Sequence, residues 1–367
     1  MSLNRVVISG GGTGGHIYPA IAIANEIKRQ NSDVEILFIG AKGKMEMEKV
    51  PLAGFTIYGL SIVGFNRKNI LKNVFLPMKL LISLFKALRI IKRFKPQLVI
   101  GVGGYASGPT LKVATWLSIP TLIQEQNSFP GKTNMLLSKK VNAICVAYPN
   151  MEQFFPKEKI KLTGNPIRKD LHDLSSKTSE GFSFYGLNPG LKTVFIMGGS
   201  LGAKSINKAV EATFIQGENL KNIQVLWQCG KGYFDAYQSM DLPDNIKLLP
   251  FIERMDLAYA VADVIVSRAG ATSISELSLV GKPCILVPSP NVSEDHQTKN
   301  AMALSSRNAA VLIPDAKIKE ELWNGLNEIF EHKEKAADLS SQITLFARPE
   351  ATEHIVSICN EIISNGQ

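Results

Sequence analysis

The sequence predicts an α/β protein made of two Rossmann-like, doubly wound parallel-sheet domains. Three observations carry this reading. The chain has 367 residues, more than one ordinary core serves. Short apolar, β-rich runs alternate with longer amphipathic stretches, the pattern of strand and crossover helix. Each half also opens on a glycine-rich turn: "VVISGGGTGGH" (6–16) aligns without gaps to "VFIMGGSLGAK" (194–204).

In the first half the expected strands are 6–9, 35–39, 98–102, 121–123 and 143–147. In the second they are 193–197, 224–228, 264–267 and 284–287. Between them "LTGNPIRKDL" (162–171) carries Gly and Pro and reads as the linker, giving domains 1–164 and 165–348. In "ARPEATEHIVSICNEII", Pro349 precedes a helical run, and 349–367 is expected to pack back on the first domain.

Composition narrows the class. Four cysteines (Cys145, Cys229, Cys284, Cys359) lie far apart with no C-x-x-C, which argues against a disulfide framework or zinc site and for a reducing cytoplasm. The N-terminal apolar run is only strand-length, unlike a signal peptide, and no uncharged apolar stretch is long enough to span a bilayer. The net charge of +9 is unevenly placed. Residues 49–124 contain no Asp or Glu but 11 Lys and Arg, so an anionic partner is expected.

The first turn fits G-x-G-x-x-G at Gly10, Gly12 and Gly15, a pattern that lets main-chain N–H groups approach a phosphate. Neither glycine-rich turn ends in the Lys and hydroxyl of a triphosphate P-loop. A nicotinamide cofactor would need an acid closing the second strand, but "EILFIGA" ends in Gly40 and Ala41. A better acid stands in "VSRAGATSISELSLVGKP", where small residues lead into a helix near Ala271 and Glu276 follows about one turn in. A diphosphate suits that helix N-terminus, and Glu276 could accept both ribose hydroxyls or simply complement the helix dipole.

The motifs "GGTGGHIYPA", "GVGGYASGP" (101–109), "EQNSFPG" (125–131), "GNPIR" (164–168), "GGSLGAKSIN" (198–207), "RAGATSISEL" (268–277) and "DHQTKNA" (295–301) resemble the MurG family, in family order and across nearly the whole chain. Those enzymes are UDP-GlcNAc:undecaprenyl-pyrophosphoryl-MurNAc-pentapeptide N-acetylglucosaminyltransferases. The resemblance implies a GT-B fold, with the donor on the second domain, the acceptor on the first and chemistry in the cleft between them. It implies transfer of GlcNAc from UDP-GlcNAc to the C4 hydroxyl of the lipid-linked sugar. Departures are Gln124, where the family often has His, and Thr272, where it often has Leu.

By the same resemblance Thr13, Gly14 and Gly15 lie beside the donor diphosphate and sugar. His16 is then the general base or a donor-positioning residue, with Glu125 the rival base. Asn127 and Gln297 are assigned to the sugar, the Ile252 backbone to uracil, and Ala271, Thr272, Ser273 and Glu276 to the nucleotide. The chain has no D-x-D, so a metal-independent reaction without cofactor is expected. Departing UDP would lean on N–H groups, the Ser200 hydroxyl and the cation of Arg168, which also reads as a plain linker charge. The turn at Gly103, Gly104 and Ser107 suits the acceptor pyrophosphate, or is only a tight turn requiring φ > 0.

From Lys72 into "NVFLPMKLLISLFKALRIIKRFKP" (73–96), Lys72, Lys79, Lys86 and Arg93 recur every seven residues, and Pro77 marks a helix start after a loop at 65–76. Phe75, Met78, Leu81, Ile82 and Phe85 add apolar surface, so the segment reads as a peripheral contact with an anionic membrane on its cytoplasmic side. No nucleic-acid motif accompanies the charge. The expected partners are UDP-GlcNAc, the undecaprenyl-linked MurNAc-pentapeptide and the membrane, with room for other wall-synthesis proteins. The rivals are another GT-B glycolipid glycosyltransferase, a UDP-GlcNAc 2-epimerase of the same fold, and a non-catalytic nucleotide-sugar-binding scaffold.

Overall fold

The computed structural model describes residues 3–64, 74–167, 171, 173–217, 220–292 and 295–365. It divides into two units, 1–167 with 348–367, and 168–347. The first unit runs β1 (Arg5–Ser9), α1 (Gly14–Gln30), β2 (Glu35–Ala41), α2 (Glu46–Leu52), β3 (Thr56–Leu60), α3 (Leu76–Phe94), β4 (Leu98–Gly101), α4 (Ser107–Trp116), β5 (Thr121–Glu125), α5 (Lys132–Leu137), β6 (Ala143–Val146) and β7 (Ile160–Leu162). Its seven strands are all parallel, in the order β3-β2-β1-β4-β5-β6-β7.

The second unit contains α6 (Thr178–Tyr185), β8 (Lys192–Met197), α7 (Lys204–Val210), β9 (Ile223–Gln228), α8 (Lys231–Gln238), β10 (Ile246–Leu249), α9 (Met255–Val261), β11 (Val264–Ser267), α10 (Ala271–Val280), β12 (Cys284–Leu286), α11 (His296–Ser305), β13 (Val311–Leu312), α12 (Ile318–Glu331) and α13 (Lys333–Thr344). Its six strands are also parallel, ordered β10-β9-β8-β11-β12-β13. The last helix, α14 (Ala351–Asn365), belongs to the first unit and packs on α1.

A parallel sheet is covered on both faces, so its central strands are buried throughout. Strand β1 shows this residue by residue. Val6 and Ile8 share one core with Ile17, Ile23 and the α14 residues Ile355 and Cys359. Val7, pointing the other way, joins Ile39, Ile91 and Leu111. The four cysteines are all unpaired and buried. Burial pushes the Cys145 and Cys284 thiols up to about 12, which keeps them protonated and inert at neutral pH.

Helix α3 begins at Leu76, one residue before Pro77, because a proline in the first turn lacks only an N–H that would have no helical partner. It buries just Ser83, Ala87 and Ile91, a single row at four-residue spacing. The rest of the helix exposes Met78, Leu81, Ile82 and Phe85 together with Arg89, Lys92 and Arg93, and Phe75 is exposed just before it.

Candidate active site

The order of each sheet reverses at one point, between β1 and β4 in the first unit and between β8 and β11 in the second. Open α/β sheets bind ligands beyond the carboxyl ends of the strands at such a switch point. The sequence motifs fall there: the turn after β1 carries Gly10 to Thr13 and leads into Gly14 and Gly15 at the start of α1, and the turn after β4 carries Val102 to Ala106. The turns after β8 and β11 carry Gly198 to Gly202 and Arg268 to Gly270.

In the first unit the two turns interlock. Gly104 has φ +85°, and a Cβ there would lie 2.2 Å from the Gly11 carbonyl oxygen, so the backbones meet where no side chain fits. A Cβ on Gly103 would lie 2.7 Å from His16 Cδ2 and 2.8 Å from Nε2. His16 is half-buried in the first turn of α1, and its Nδ1 shares a 3.1 Å hydrogen bond with the Thr13 hydroxyl. When Nδ1–H is the donor, Nε2 keeps its lone pair, the form a base requires. Thr13 makes no side-chain cap and α1 has no acid in its first turn, so Gly14 and Gly15 open the helix without a protein anion from α1 itself. The Ser107 hydroxyl is buried and donates to the Gly104 carbonyl at 2.9 Å, which shapes the turn and turns that proton away from an acceptor anion.

Glu125 ends β5 and is buried. Its Oε1 accepts from the Asn127 N–H (3.0 Å) and Asn127 Nδ2 (3.2 Å). Its Oε2 accepts from the Gly131 N–H (3.1 Å) and Asn134 Nδ2 (2.8 Å). Burial pushes its pKa above the ordinary carboxylate range, while those donors favour the charged form. Occupied at both oxygens, Glu125 organises the 126–131 loop and presents no open lone-pair direction, which departs from its reading as a rival base. Asn127 is correspondingly held by Glu125, and Asn134 keeps a buried Oδ1 without a partner. Asn134 Nδ2 also stands 3.8 Å from the Cβ position of Gly103, so loop, second turn and His16 gather at one end of the sheet.

In the second unit α10 begins at Ala271 after Gly270, with no acid in its first turn. Thr272 Oγ1 there is buried and unpartnered, and an unmet polar atom at a helix N-terminus is what a bound anion would satisfy. Ser273 lies half-buried beside it. Glu276 is buried, and Oε2 accepts the Tyr259 hydroxyl proton at 3.0 Å. Ser200 is exposed in the turn after β8. Gln297, at the start of α11, accepts the Ser289 N–H at 2.8 Å and so fixes the loop before it. The Ile252 N–H donates to Gln228 Oε1 at 3.0 Å, and Gln228 Nε2 donates to the Gly199 carbonyl at 2.9 Å. Arg168 and Lys72 lie outside the described residues, as do 65–73 of the expected loop.

Lys86 departs from its reading as a lipid-facing charge. Its ammonium donates to the Gly59 carbonyl at 2.6 Å, and burial lowers its pKa. Lys79 is half-buried on the same helix. Four residues had not been singled out: Glu46, Gln228, Tyr259 and Arg268. Glu46 returns to the end of β2, whose own last residues are Gly40 and Ala41, and accepts the Ala41 N–H at 2.9 Å and the Gly12 N–H at 2.8 Å. Arg268 links three segments, donating to the Val287 and Pro288 carbonyls (3.1 and 3.2 Å), Ser205 Oγ (2.9 Å) and the Asp315 carboxylate (2.5 Å). Only Gln228, a polar residue closing the otherwise apolar run "VLWQ", carries a local sequence signal.

Comparison with known proteins adds identity to this geometry. Residues 6–146 match the glycosyltransferase family 28 N-terminal domain and residues 193–355 its C-terminal domain. A Cytophaga hutchinsonii protein is 56% identical over 98% of this chain and 97% of its own length. A Flavobacterium psychrophilum protein is 53% identical over 97% of each. Both are described as UDP-N-acetylglucosamine–N-acetylmuramyl-(pentapeptide) pyrophosphoryl-undecaprenol N-acetylglucosamine transferases. The crystal structure of Acinetobacter baumannii MurG superposes with a TM-score of 0.78 at 31% identity, covering 98% of this chain and 99% of that one. A UDP-GlcNAc 2-epimerase from Neisseria meningitidis superposes at 0.67 with 14% identity, covering 98% of this chain and all of that one, a likeness of fold alone. The chain belongs to the MurG family of glycosyltransferases, with both domains of glycosyltransferase family 28 in order.

Proposed function

We propose that this chain transfers GlcNAc from UDP-GlcNAc to the C4 hydroxyl of undecaprenyl-pyrophosphoryl-MurNAc-pentapeptide, with inversion and without a metal. The carrying observation is full-length identity of 48–56% to curated transferases of that description. The second unit holds the donor: the α10 N-terminus with Thr272 and Ser273 takes the diphosphate, Glu276 the ribose, and the Ile252 carbonyl the uracil N–H. Arg168, Ser200 and Gln297 complete the donor contacts on this unit. The first unit holds the acceptor, with its pyrophosphate on the main chain at Gly103 and Gly104.

His16 Nε2 takes the proton of the C4 hydroxyl as that oxygen attacks the anomeric carbon. The bond from that carbon to UDP breaks on the opposite side, and UDP leaves with the electron pair. Charge developing on the leaving group is met by oriented N–H groups and a cation. The test is UDP release with and without the lipid acceptor, run in EDTA. UDP release only with acceptor supports transfer, and inhibition by EDTA that magnesium reverses sinks the metal-free step.

The same reading places α3 on an anionic membrane from its cytoplasmic side, as a surface contact. Among the described residues no helix is long and apolar enough to cross a membrane. Exposed Phe75, Met78 and Phe85 beside Arg89, Lys92 and Arg93 support that contact. Each basic residue near such a surface contributes about 1 kcal/mol.

A further inference from the structure

We propose that Glu46 is the built-in anion of the first glycine-rich turn and the positioning residue of His16, an inference that rests on the reading of His16 as the general base. The Glu46 side chain is buried at the first position of α2, and its partners are two main-chain N–H groups on separate segments. Two glycines clear the space it fills. A Cβ on Gly11 would lie 2.2 Å from Glu46 Cδ, and one on Gly40 would lie 2.6 Å from Glu46 Cγ. Gly11 has φ +143°. The bare backbone at Gly11 and Gly12 therefore meets an anion, and that anion is the chain's own carboxylate.

The consequence runs along three short links. Glu46 holds the Gly12 N–H, and Thr13 follows directly. The Thr13 carbonyl accepts the His16 and Ile17 N–H groups at 3.1 and 3.2 Å, and its hydroxyl bonds His16 Nδ1 at 3.1 Å. A phosphate at a nucleotide-binding turn satisfies the turn's N–H groups and fixes the entry of the helix. Glu46 does the same from inside the fold. It also sorts the donors: the Gly12 N–H goes to the protein, and the first turn of α1 is left for a ligand. The Glu46→Gln change keeps the volume, but the amide can accept only one of the two N–H groups and turns an NH₂ toward the other.

The experiment uses the full chain with Glu46→Gln, Glu46→Ala, His16→Ala and the double variant of His16→Ala with Glu46→Ala. Misplacing a reacting group by about 1 Å costs on the order of 100-fold. The expected result is kcat lowered about 10-fold by Glu46→Gln and about 100-fold by Glu46→Ala, with KM for UDP-GlcNAc within about twofold. Formate, a small carboxylate that fits the emptied space, restores part of the Glu46→Ala loss. The double variant is no slower than His16→Ala alone. Folded Glu46→Gln and Glu46→Ala proteins with normal kcat overturn the proposal. So does a Glu46→Ala loss that multiplies onto His16→Ala, since Glu46 then acts through another group. Near-normal kcat in His16→Ala instead overturns the base assignment, whatever Glu46 does. Should Glu46→Ala not fold, Glu46→Gln decides by the same split of kcat from KM.

Discussion

The turns after β1 and β8 align residue for residue in sequence, yet the structure fills them with opposite chemistry. Behind the first lies a buried carboxylate, Glu46, bonded to the Gly12 N–H. Behind the second lies a neutral amide, Gln228, which donates to the Gly199 carbonyl and accepts the Ile252 N–H. A carboxylate uses up the positive potential of a glycine turn, whereas an amide satisfies the backbone and adds no charge. On the proposed reading the first turn positions His16, and the second turn, with its charge left unspent, faces the donor side. One motif is thus backed by a charge in one unit and by a neutral amide in the other.

The largest expected effect divides the two roles. His16→Ala should lower kcat about 10²–10⁴-fold while calorimetric UDP affinity stays put. Lost UDP binding with normal turnover would place His16 on the donor and erase the contrast. The converse is Glu276→Ala, which should weaken UDP binding by about 1.5–3 kcal/mol, the worth of a hydrogen bond to a charged group. Uridine analogues lacking a ribose hydroxyl should then lose little more, and normal UDP affinity in this variant would remove Glu276 from the ribose.

Gln228→Glu makes the second turn resemble the first. A carboxylate facing the Gly199 carbonyl should weaken UDP binding at least about tenfold, against about 1 kcal/mol for Gln228→Ala. Protonating the new acid restores a donor, so the defect should shrink as pH falls. A Gln228→Glu protein that binds UDP like wild type would mean the charge behind the turn is immaterial. The smallest change in the chemistry itself is expected on α3. Replacing Lys79, Arg89 and Arg93 by Glu should release the protein from anionic vesicles, as should high salt. Turnover of a shortened, water-soluble acceptor should persist, and equal losses on soluble and bilayer acceptors would assign the helix to the fold.

Read from sequence, the central strands were plain, because a strand buried on both faces is a continuous apolar run: "VVIS", "LVIG", "AICV" and "VIVS" all lie at sheet centres or one strand from the edge. The four strands that were not anticipated, β3, β7, β10 and β13, are the four sheet edges. An edge strand is half-exposed, and its short mixed sequence becomes a strand only when a formed neighbour offers hydrogen bonds. Family, turn positions and the start of α10 at Ala271 were legible for a related reason: each is written in one continuous local string.

What only the tertiary structure decided is every partner that arrives from elsewhere. Glu46 reaches Gly12 across 34 positions, Lys86 reaches Gly59 across 27, and Gln228 reaches Gly199 across 29. Glu125 shows the same limit at short range. Its sequence position suggested a base, but four N–H groups converge on it once the loop closes. A string of residues states which charges exist and how the backbone can turn. Which N–H each charge satisfies depends on distances that appear only when the sheet has formed and the helices have packed on it.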